Sequence, residues 1–132
     1  MIIEITNDNL YLLEKNDFLN RKKVEEELRN NPFAKFLVLI EEEQIIGYIY
    51  YSDIYERAEI NQFEISFLNR NCGKGKKLLQ EMIMRVDKDI TLEVREDNLP
   101  AIKVYKDLGF VEKAIRKNYY NGKDGILMER VK

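Results

Sequence analysis

The chain has 132 residues, and its 22 lysines and arginines against 24 aspartates and glutamates leave a formal net charge of −2 at pH 7. That balance argues against bulk nucleic-acid binding, and the sequence predicts neither a secretion signal nor an apolar run that could span a bilayer. Because histidine is absent, the commonest general base and metal ligand is missing, and proton chemistry must fall to carboxylates, tyrosines or lysines.

The single cysteine and the uninterrupted composition indicate the setting of the protein. Cys72 has no partner for an internal disulfide, which suits a reducing cytoplasm. The length fits one domain over residues 1–132, and no repeat or Pro/Gly/Ser linker divides it. We therefore expect one cytoplasmic domain that binds neither membrane nor nucleic acid and holds no metal. Nothing in the sequence indicates its oligomeric state.

The first half of the chain predicts one strand, a helical region and three further strands. The alternating stretch MIIEI predicts the first strand, and residues 7–30 predict helices that end at NNP. Two apolar runs flank an acidic turn in KFLVLIEEEQIIGYIYYSDI, which predicts a hairpin. AEINQFEISF then alternates and places Phe63, Ile65 and Phe67 on one face of a fourth strand.

The second half of the chain predicts two helices and three strands. Leu78, Leu79 and Met82 fall at helical spacing, and ITLEV then predicts a fifth strand with Glu93 facing away from its apolar residues. Asn98 is a plausible N-cap for a helix that Gly109 ends. The tail predicts two strands joined near YYNGKDG, so the element order is βααβββαβαββ.

The stretch RNCGKGKKLL, residues 70–79, places two glycines one residue apart just before a predicted helix. A helix start offers free N–H groups and a positive dipole end, and glycines let a ligand approach the main chain. Arg70, Lys74, Lys76 and Lys77 add positive charge, so the stretch is suited to phosphate. The plainer alternative is a glycine turn with a solvated basic rim. The P-loop and dinucleotide motifs do not match.

Two signatures together resemble a known superfamily. R-x-x-G-x-G between a strand and a Leu-Leu helix resembles the coenzyme A diphosphate loop of the GNAT N-acetyltransferases. LEVREDNLPAIKVYKDLGF resembles their second signature, E-x-N-x-x-A-x-x-x-Y-x-x-x-G-F, and the following IRKNYYNGKDGILM is similar to the RimI-type ribosomal-protein alanine N-acetyltransferases. The resemblance covers about residues 45–130. The sequence departs from the family pattern at two positions. Lys74 stands where the family usually has an aliphatic residue, and Phe67 stands where proline is common.

The resemblance implies a fold, a cosubstrate and a binding cleft. The fold is α+β, with a mixed, mostly antiparallel sheet, splayed parallel strands 4 and 5, and helices on both faces. Acetyl-CoA would lie between those two strands, and backbone N–H groups near Phe63 and Ile65 would polarise its thioester as an oxyanion hole does. The implied cofactor-binding residues are Phe63, Ile65, Phe67, Arg70, Asn71, Cys72, Gly73, Lys74, Gly75, Lys76 and Asn98.

The same resemblance implies an acid and a base. Tyr105 is the candidate acid, since a phenol with a reference pKa of about 10 can protonate a thiolate whose conjugate acid lies near 8.5. Its alternative is an ordinary core aromatic. Glu93 is the candidate base; its alternative is a surface glutamate paired with Arg95 or a lysine. Glu59, just before the fourth strand, is the rival base.

The acceptor implied by the resemblance is a protein N-terminus, specifically the N-terminal alanine of a ribosomal protein. Deprotonating an α-amine of pKa about 7.8 at pH 7 costs roughly 1 kcal/mol, against about 4.6 kcal/mol for a lysine, so a weak base suffices. Tyr119 and Tyr120 would hold the acceptor peptide, or else pack within a strand. Because no histidine activates Cys72, direct transfer in a ternary complex is expected. A small-molecule amine or lysine acceptor, or a non-catalytic acetyl-CoA-binding module, are the alternatives.

Overall fold

A computed structural model describes residues 1–14, 16, 19–66, 70 and 73–132, and its regular elements account for most of them. The strands are β1 (Ile2–Ile5), β2 (Ala34–Glu41), β3 (Gln44–Ile54), β4 (Arg57–Ile65), β5 (Asp89–Arg95), β6 (Val111–Tyr120) and β7 (Lys123–Arg130). The helices are a 3₁₀ helix (Leu10–Leu13), α1 (Arg21–Asn30), α2 (Lys74–Val86) and α3 (Leu99–Asp107).

All seven strands belong to one mixed sheet, in the order β1-β2-β3-β4-β5-β7-β6. The pair β4–β5 is parallel, and the other five neighbouring pairs are antiparallel. Parallel pairing runs only from Arg57 opposite Asp89 to Ile60 opposite Leu92. Beyond that point the two strands continue unpaired with each other, so the sheet is open between their carboxyl ends. The predicted splay of strands 4 and 5 is confirmed.

An irregularity in β4 coincides with the start of this opening. Tyr51 pairs with Ile60 while Tyr50 pairs with Gln62, so Asn61 is an extra residue of β4. The Asn61 side chain is held by a 2.9 Å hydrogen bond from Nδ2 to Ser52 Oγ on β3. A β-bulge bends and twists its strand, and here it bends β4 at the residue where its pairing with β5 stops.

The helices divide between the two faces of the sheet, as predicted. On one face α2 and α3 bury their apolar sides against β3, β4, β5 and β7, and Phe110 and Met128 lie in the same core. On the other face α1 and the 3₁₀ helix pack against β1, β2 and β3 through a second core that contains Val24 and Phe36. The described members of this second core do not extend beyond β3, so it does not reach Glu93 on β5.

The region 7–30 is less helical than predicted, because asparagine side chains take the backbone partners that a continuous helix would use. Asn9 Oδ1 accepts from Thr6 N at 2.8 Å, and Asn16 Nδ2 donates to the carbonyls of Leu13 and Leu19 at 2.7 and 2.6 Å. The first predicted helix is therefore a 3₁₀ turn of four residues, and α1 begins only after its N-cap, Asn20.

The start and end of α3 match the prediction. Asn98 is the N-cap, with Oδ1 accepting from Ala101 N at 3.4 Å, and Pro100 lies in the first turn. After Asp107 the chain leaves the helix and reaches Gly109 at a φ of 97°, a left-handed conformation that favours glycine. In the described part of the chain, no helix has the length and apolar character that crossing a bilayer requires.

Candidate active site

The amino-terminal end of α2 is shaped by its two glycines. Gly73, the N-cap, has a φ of 77°, which glycine adopts without strain. Gly75 lets α2 approach β4 closely, since a Cβ at this position would lie 3.2 Å from Ile65 Cγ1 and 3.3 Å from Phe63 Cζ. The first N–H groups of a helix have no partner within it. The glycines therefore place free amides and the positive end of the helix dipole beside the opening in the sheet.

A cleft of about 750 Å³ lies at this place, between β4 and the amino-terminal ends of α2 and α3. Seven of the predicted cofactor-binding residues line it: Phe63, Ile65, Arg70, Gly73, Gly75, Lys76 and Asn98. Phe67, Asn71 and Cys72 lie outside the described residues. The sequence analysis did not identify four further lining residues, which are Glu64, Pro100, Ala101 and Val104. Pro100, Ala101 and Val104 follow Asn98 along α3. Their spacing along the predicted helix could have indicated that they share a face with Asn98.

The polar groups of the cleft suit a long anionic ligand. Arg70 and Lys76 bring positive charge to the end formed by α2, and Arg70 Nε also donates to the Ile65 carbonyl at 3.1 Å. At the other end, Asn98 uses its carbonyl oxygen as the helix cap, so its amide Nδ2 is the group available to donate to a ligand. Phosphate at one end and an amide-bearing chain at the other would both find partners.

Lys74 differs from its neighbours in this segment. Its side chain does not line the cleft; Nζ lies 2.7 Å from Glu41 Oε1 at the end of β2. The hydrogen bond from Lys74 lowers the pKa of the Glu41 carboxyl below its ordinary value. The predicted contribution of Lys74 to cofactor binding is therefore limited, in this structure, to its position in the first turn of α2.

Glu93 is the first residue of β5 beyond the last pair with β4. Its side chain points to the face opposite the buried Leu92 and Val94, as predicted, and is 20% exposed. Arg116 Nε lies 3.4 Å from one carboxylate oxygen, Oε2. The other oxygen, Oε1, is buried and has no hydrogen-bond partner among the described residues. A buried acceptor without a partner is uncommon and is suited to receiving a proton or a hydrogen bond from a ligand.

Aromatic side chains from the end of β6 gather around Glu93. Tyr119 and Tyr120 meet edge to face, with ring centroids 4.8 Å apart. The Arg116 guanidinium lies 4.5 Å from the centroid of the Tyr119 ring, which is 51% exposed. Burial and then the negative charge of Glu93 raise the pKa of the half-buried Tyr120 phenol. The structure thus brings Glu93 together with both predicted acceptor-binding tyrosines, although they lie on a strand rather than on the loop.

Gly125 on β7 was not singled out from the sequence. A Cβ at this position would lie 2.9 Å from Glu93 Oε1 and 3.2 Å from Tyr120 Cε2. The absence of a side chain therefore leaves the space that the Glu93 carboxylate and the Tyr120 ring occupy. A glycine inside a predicted strand often marks such a close approach, and this was the signal that could have found it.

Tyr105 packs one layer behind the cleft wall. It is 6% exposed, and its ring centroid lies 6.2 Å from that of Phe63, which lines the cleft, and 5.6 Å from that of Phe110. Burial raises the pKa of its phenol to about 12. Its hydroxyl forms no hydrogen bond with any described residue. Tyr105 is thus the core aromatic expected as the alternative, and its only contact with the cleft wall among the described ring pairs is with Phe63.

The rival base, Glu59, lies on the same face of the sheet as Glu93. It is exposed and is paired with Thr91, two residues before Glu93 on β5. Glu59 thus stands within the paired part of β4, whereas Glu93 stands at the opening. The position at the opening of the sheet therefore distinguishes Glu93 from Glu59.

Comparison with known proteins identifies the family. The profile of the acetyltransferase (GNAT) family matches residues 4–110. A candidate [ribosomal protein bS18]-alanine N-acetyltransferase of Bacillus subtilis (strain 168) is 32% identical over 130 residues, 92% of this chain and 86% of that protein. The L-amino acid N-acetyltransferase AaaT of Escherichia coli (strain K12) is 36% identical over 123 residues, 82% of this chain and 75% of that protein.

A solved structure shows the same fold over the full length. The crystal structure of the ribosomal-protein-S18-alanine N-acetyltransferase from Escherichia coli has a TM-score of 0.82 and 22% identity, covering 99% of this chain and 92% of that one. The match of fold, the profile over most of the chain and the cleft at the start of α2 agree. The chain belongs to the acetyltransferase (GNAT) family and is an acetyl-CoA-dependent N-acetyltransferase.

Proposed function

We propose that this enzyme acetylates the α-amine of a protein N-terminus, and that its acceptor is the N-terminal alanine of ribosomal protein bS18. The structural observation that supports an amine acceptor is the Glu93 carboxylate, which stands at the opening of the sheet with one buried, unpartnered oxygen. The similarity to the [ribosomal protein bS18]-alanine N-acetyltransferase candidate of Bacillus subtilis, over 92% of this chain, supports the choice of bS18. A ribosomal acceptor would place the activity in the cytoplasm. We also propose that residues 1–132 form one catalytic domain.

The proposed reaction uses the two sides of the opening. The first amides of α2 would hold the diphosphate of acetyl-CoA, and Asn98 would contact its pantetheine arm. Beyond Ile60, β4 has no partner on the β5 side. Backbone N–H groups near Phe63 and Ile65 that face this side are free to stabilise the oxyanion that forms when the amine attacks the thioester carbonyl.

Glu93 and Tyr105 have complementary roles in this proposal. Glu93 accepts the proton of the acceptor ammonium, directly or through a water. The neutral form of an α-amine lies only about 1 kcal/mol above its ammonium form at pH 7. Tyr105 is protonated at neutral pH, since an ordinary phenol has a pKa of about 10 and burial raises this one to about 12. Its hydroxyl would donate a hydrogen bond to the sulfur as negative charge develops on the leaving thiolate. Tyr119 and Tyr120 would hold the first residues of the acceptor.

The acceptor is tested with matched substrates. Purified enzyme and acetyl-CoA are incubated with a peptide carrying the bS18 N-terminus, the same peptide with its α-amine blocked, and free amino acids, polyamines and aminoglycosides. We expect the first peptide to have the highest kcat/KM and mass spectrometry to locate the acetyl group on its α-nitrogen. Faster acetylation of any free amine would overturn the proposal, as would equal acetylation of the blocked peptide through its lysines.

A second candidate acceptor is a free L-amino acid, which the similarity to AaaT favours. Both acceptors present an α-amine, so the Glu93 chemistry is the same for each. They differ in what continues beyond the first residue, since only a peptide would reach the exposed Tyr119. Truncating the peptide stepwise to free alanine therefore separates the two: a progressive fall in kcat/KM indicates a protein acceptor, and an unchanged value indicates an amino acid.

Gly125→Ala should lower activity without loss of the fold. The added methyl group would lie within 2.9 Å of Glu93 Oε1 and displace the carboxylate from its position. Because small displacements of a catalytic group are costly, we expect kcat/KM to fall by about tenfold or more. The affinity for acetyl-CoA should stay the same, because Gly125 does not line the cleft. Steady-state kinetics and calorimetry measure the two quantities, and unaltered kcat/KM would contradict the proposed place of Glu93.

A further inference from the structure

Lys74 is a cation at the cofactor site whose side chain is directed elsewhere. It stands between Gly73 and Gly75, both of which line the cleft. Its ammonium nevertheless lies on the carboxylate of Glu41, at 2.7 Å, and the two side chains are 28% and 40% exposed. The residues are 33 positions apart in the sequence. This contact joins the β2–β3 hairpin to the first turn of the helix that would bind the diphosphate.

The position of Lys74 gives its side chain a second possible partner. It is the first residue of α2, and side chains on a helix lean toward its amino-terminal end. A lysine has a flexible four-carbon stem that lets its ammonium change partners. A diphosphate bound to the first amides of α2 would thus compete with Glu41 for this ammonium. Glu41 remains an effective competitor at neutral pH, because a glutamate carboxyl is ionised there, and the hydrogen bond from Lys74 lowers its pKa further.

We propose that Glu41 is a positioning residue that weakens the binding of coenzyme A by holding Lys74 away from the cofactor phosphates. The proposal depends on the cosubstrate of the family and not on the identity of the acceptor. Its consequence for the enzyme is easier release of the product, since free coenzyme A carries the same phosphates as acetyl-CoA. The phosphates would then be bound by the backbone amides of α2 and by Arg70 and Lys76, which line the cleft.

A double-mutant cycle tests the proposal by calorimetry with coenzyme A. Glu41→Gln should weaken the contact that holds Lys74 and tighten binding by about three- to tenfold, the size expected for one added charge-assisted contact. In the Glu41→Gln/Lys74→Met variant this gain should disappear. Glu43→Gln removes the same charge from the neighbouring turn and is the matched control. It should leave the Kd within about twofold of the parent, which excludes a general electrostatic effect.

A fragment of the cofactor provides the second arm of the test. Acetyl-pantetheine lacks every phosphate, so its inhibition constant should be the same in the parent and in Glu41→Gln. The proposal is overturned if Glu41→Gln binds coenzyme A no more tightly than the parent does. A gain that persists without Lys74, that Glu43→Gln reproduces or that acetyl-pantetheine shares would also overturn it. Each reading is a binding constant, so failure of the proposed bS18 acceptor would not affect it.

Discussion

Glu93→Gln is expected to lower kcat/KM by about a hundredfold or more at pH 7, the usual contribution of a positioned general base. Glutamine keeps the shape of the side chain and its contact with Arg116 but cannot accept the proton of an ammonium. The loss should shrink as the pH rises above about 7.8, because the acceptor α-amine then arrives already neutral. Steady-state kinetics between pH 6.5 and 9 would show this convergence, which a purely structural defect would not produce.

The matched control for this variant is Glu59→Gln on the same face of the sheet. Glu59 is exposed and lies within the paired part of β4, so its replacement should change kcat/KM by less than about threefold. The affinity for acetyl-CoA should be unaltered in both variants, since neither residue lines the cleft. If Glu59→Gln causes the larger loss, the base is Glu59 and the proposed role of Glu93 is wrong.

Tyr105→Phe is expected to lower kcat by about ten- to hundredfold while the Kd for acetyl-CoA changes little. A hydrogen bond to a charged group contributes about 1.5–3 kcal/mol, and this one would form only as the thiolate leaves. Because the phenol pKa is about 12 and that of a thiol about 8.5, complete transfer of the proton before the bond breaks is unfavourable. The hydroxyl would therefore act as a hydrogen-bond donor during bond cleavage.

Tyr51→Phe provides the control for deleting a buried hydroxyl. Tyr51 belongs to the same core as Tyr105, is 2% exposed and also has a pKa raised by burial to about 12. Unlike Tyr105, it has no ring contact with Phe63, which lines the cleft. We expect Tyr51→Phe to retain nearly full kcat. Full activity of Tyr105→Phe under the same conditions would remove this residue from the mechanism.

The raised pKa of Tyr105 also predicts how stability depends on pH. Below pH 10 the phenol is protonated in both the folded and unfolded states, so its contribution to the free energy of unfolding is fully present. Between pH 10 and about 12 the unfolded state loses the proton first, so the free energy of unfolding falls as the pH rises. A pKa of about 12 in the folded state against 10 in the unfolded state corresponds to about 2.7 kcal/mol. Urea unfolding at pH 9 to 11.5 should therefore show a shallower decline for Tyr105→Phe, and an equally steep decline would contradict the assignment.

Local signals explain why much of the fold was predictable. Alternating residues located the strands, and the cap at Asn98 together with Gly109 bounded α3 to within a residue or two. The stretch from Arg70 to Lys76 was suited to an anion by its glycine positions and charge, but the family resemblance was needed to prefer an anion site to a glycine turn with a solvated basic rim. The parallel, splayed pair of strands came from the family resemblance, because pairing between β4 and β5 depends on contacts that no local pattern contains.

The features that the sequence did not predict are contacts between distant parts of the chain. Glu41 reaches Lys74 across 33 positions, and Arg116 and Gly125 reach Glu93 through the registers of β6 with β7 and of β7 with β5. A one-residue change of register would reverse every side chain involved. The first helix was predicted too long and of the wrong type, because the side chains of Asn9 and Asn16 hydrogen-bond to nearby backbone groups, which helical periodicity does not reveal.

The short parallel pairing of β4 with β5, four residue pairs long, has a consequence for how the two reactants meet. The cofactor cleft lies under α2 and α3, and the Glu93 carboxylate points to the opposite side of the sheet. In the proposed mechanism, the cofactor and the acceptor amine therefore approach the gap from opposite faces of the sheet and meet within it.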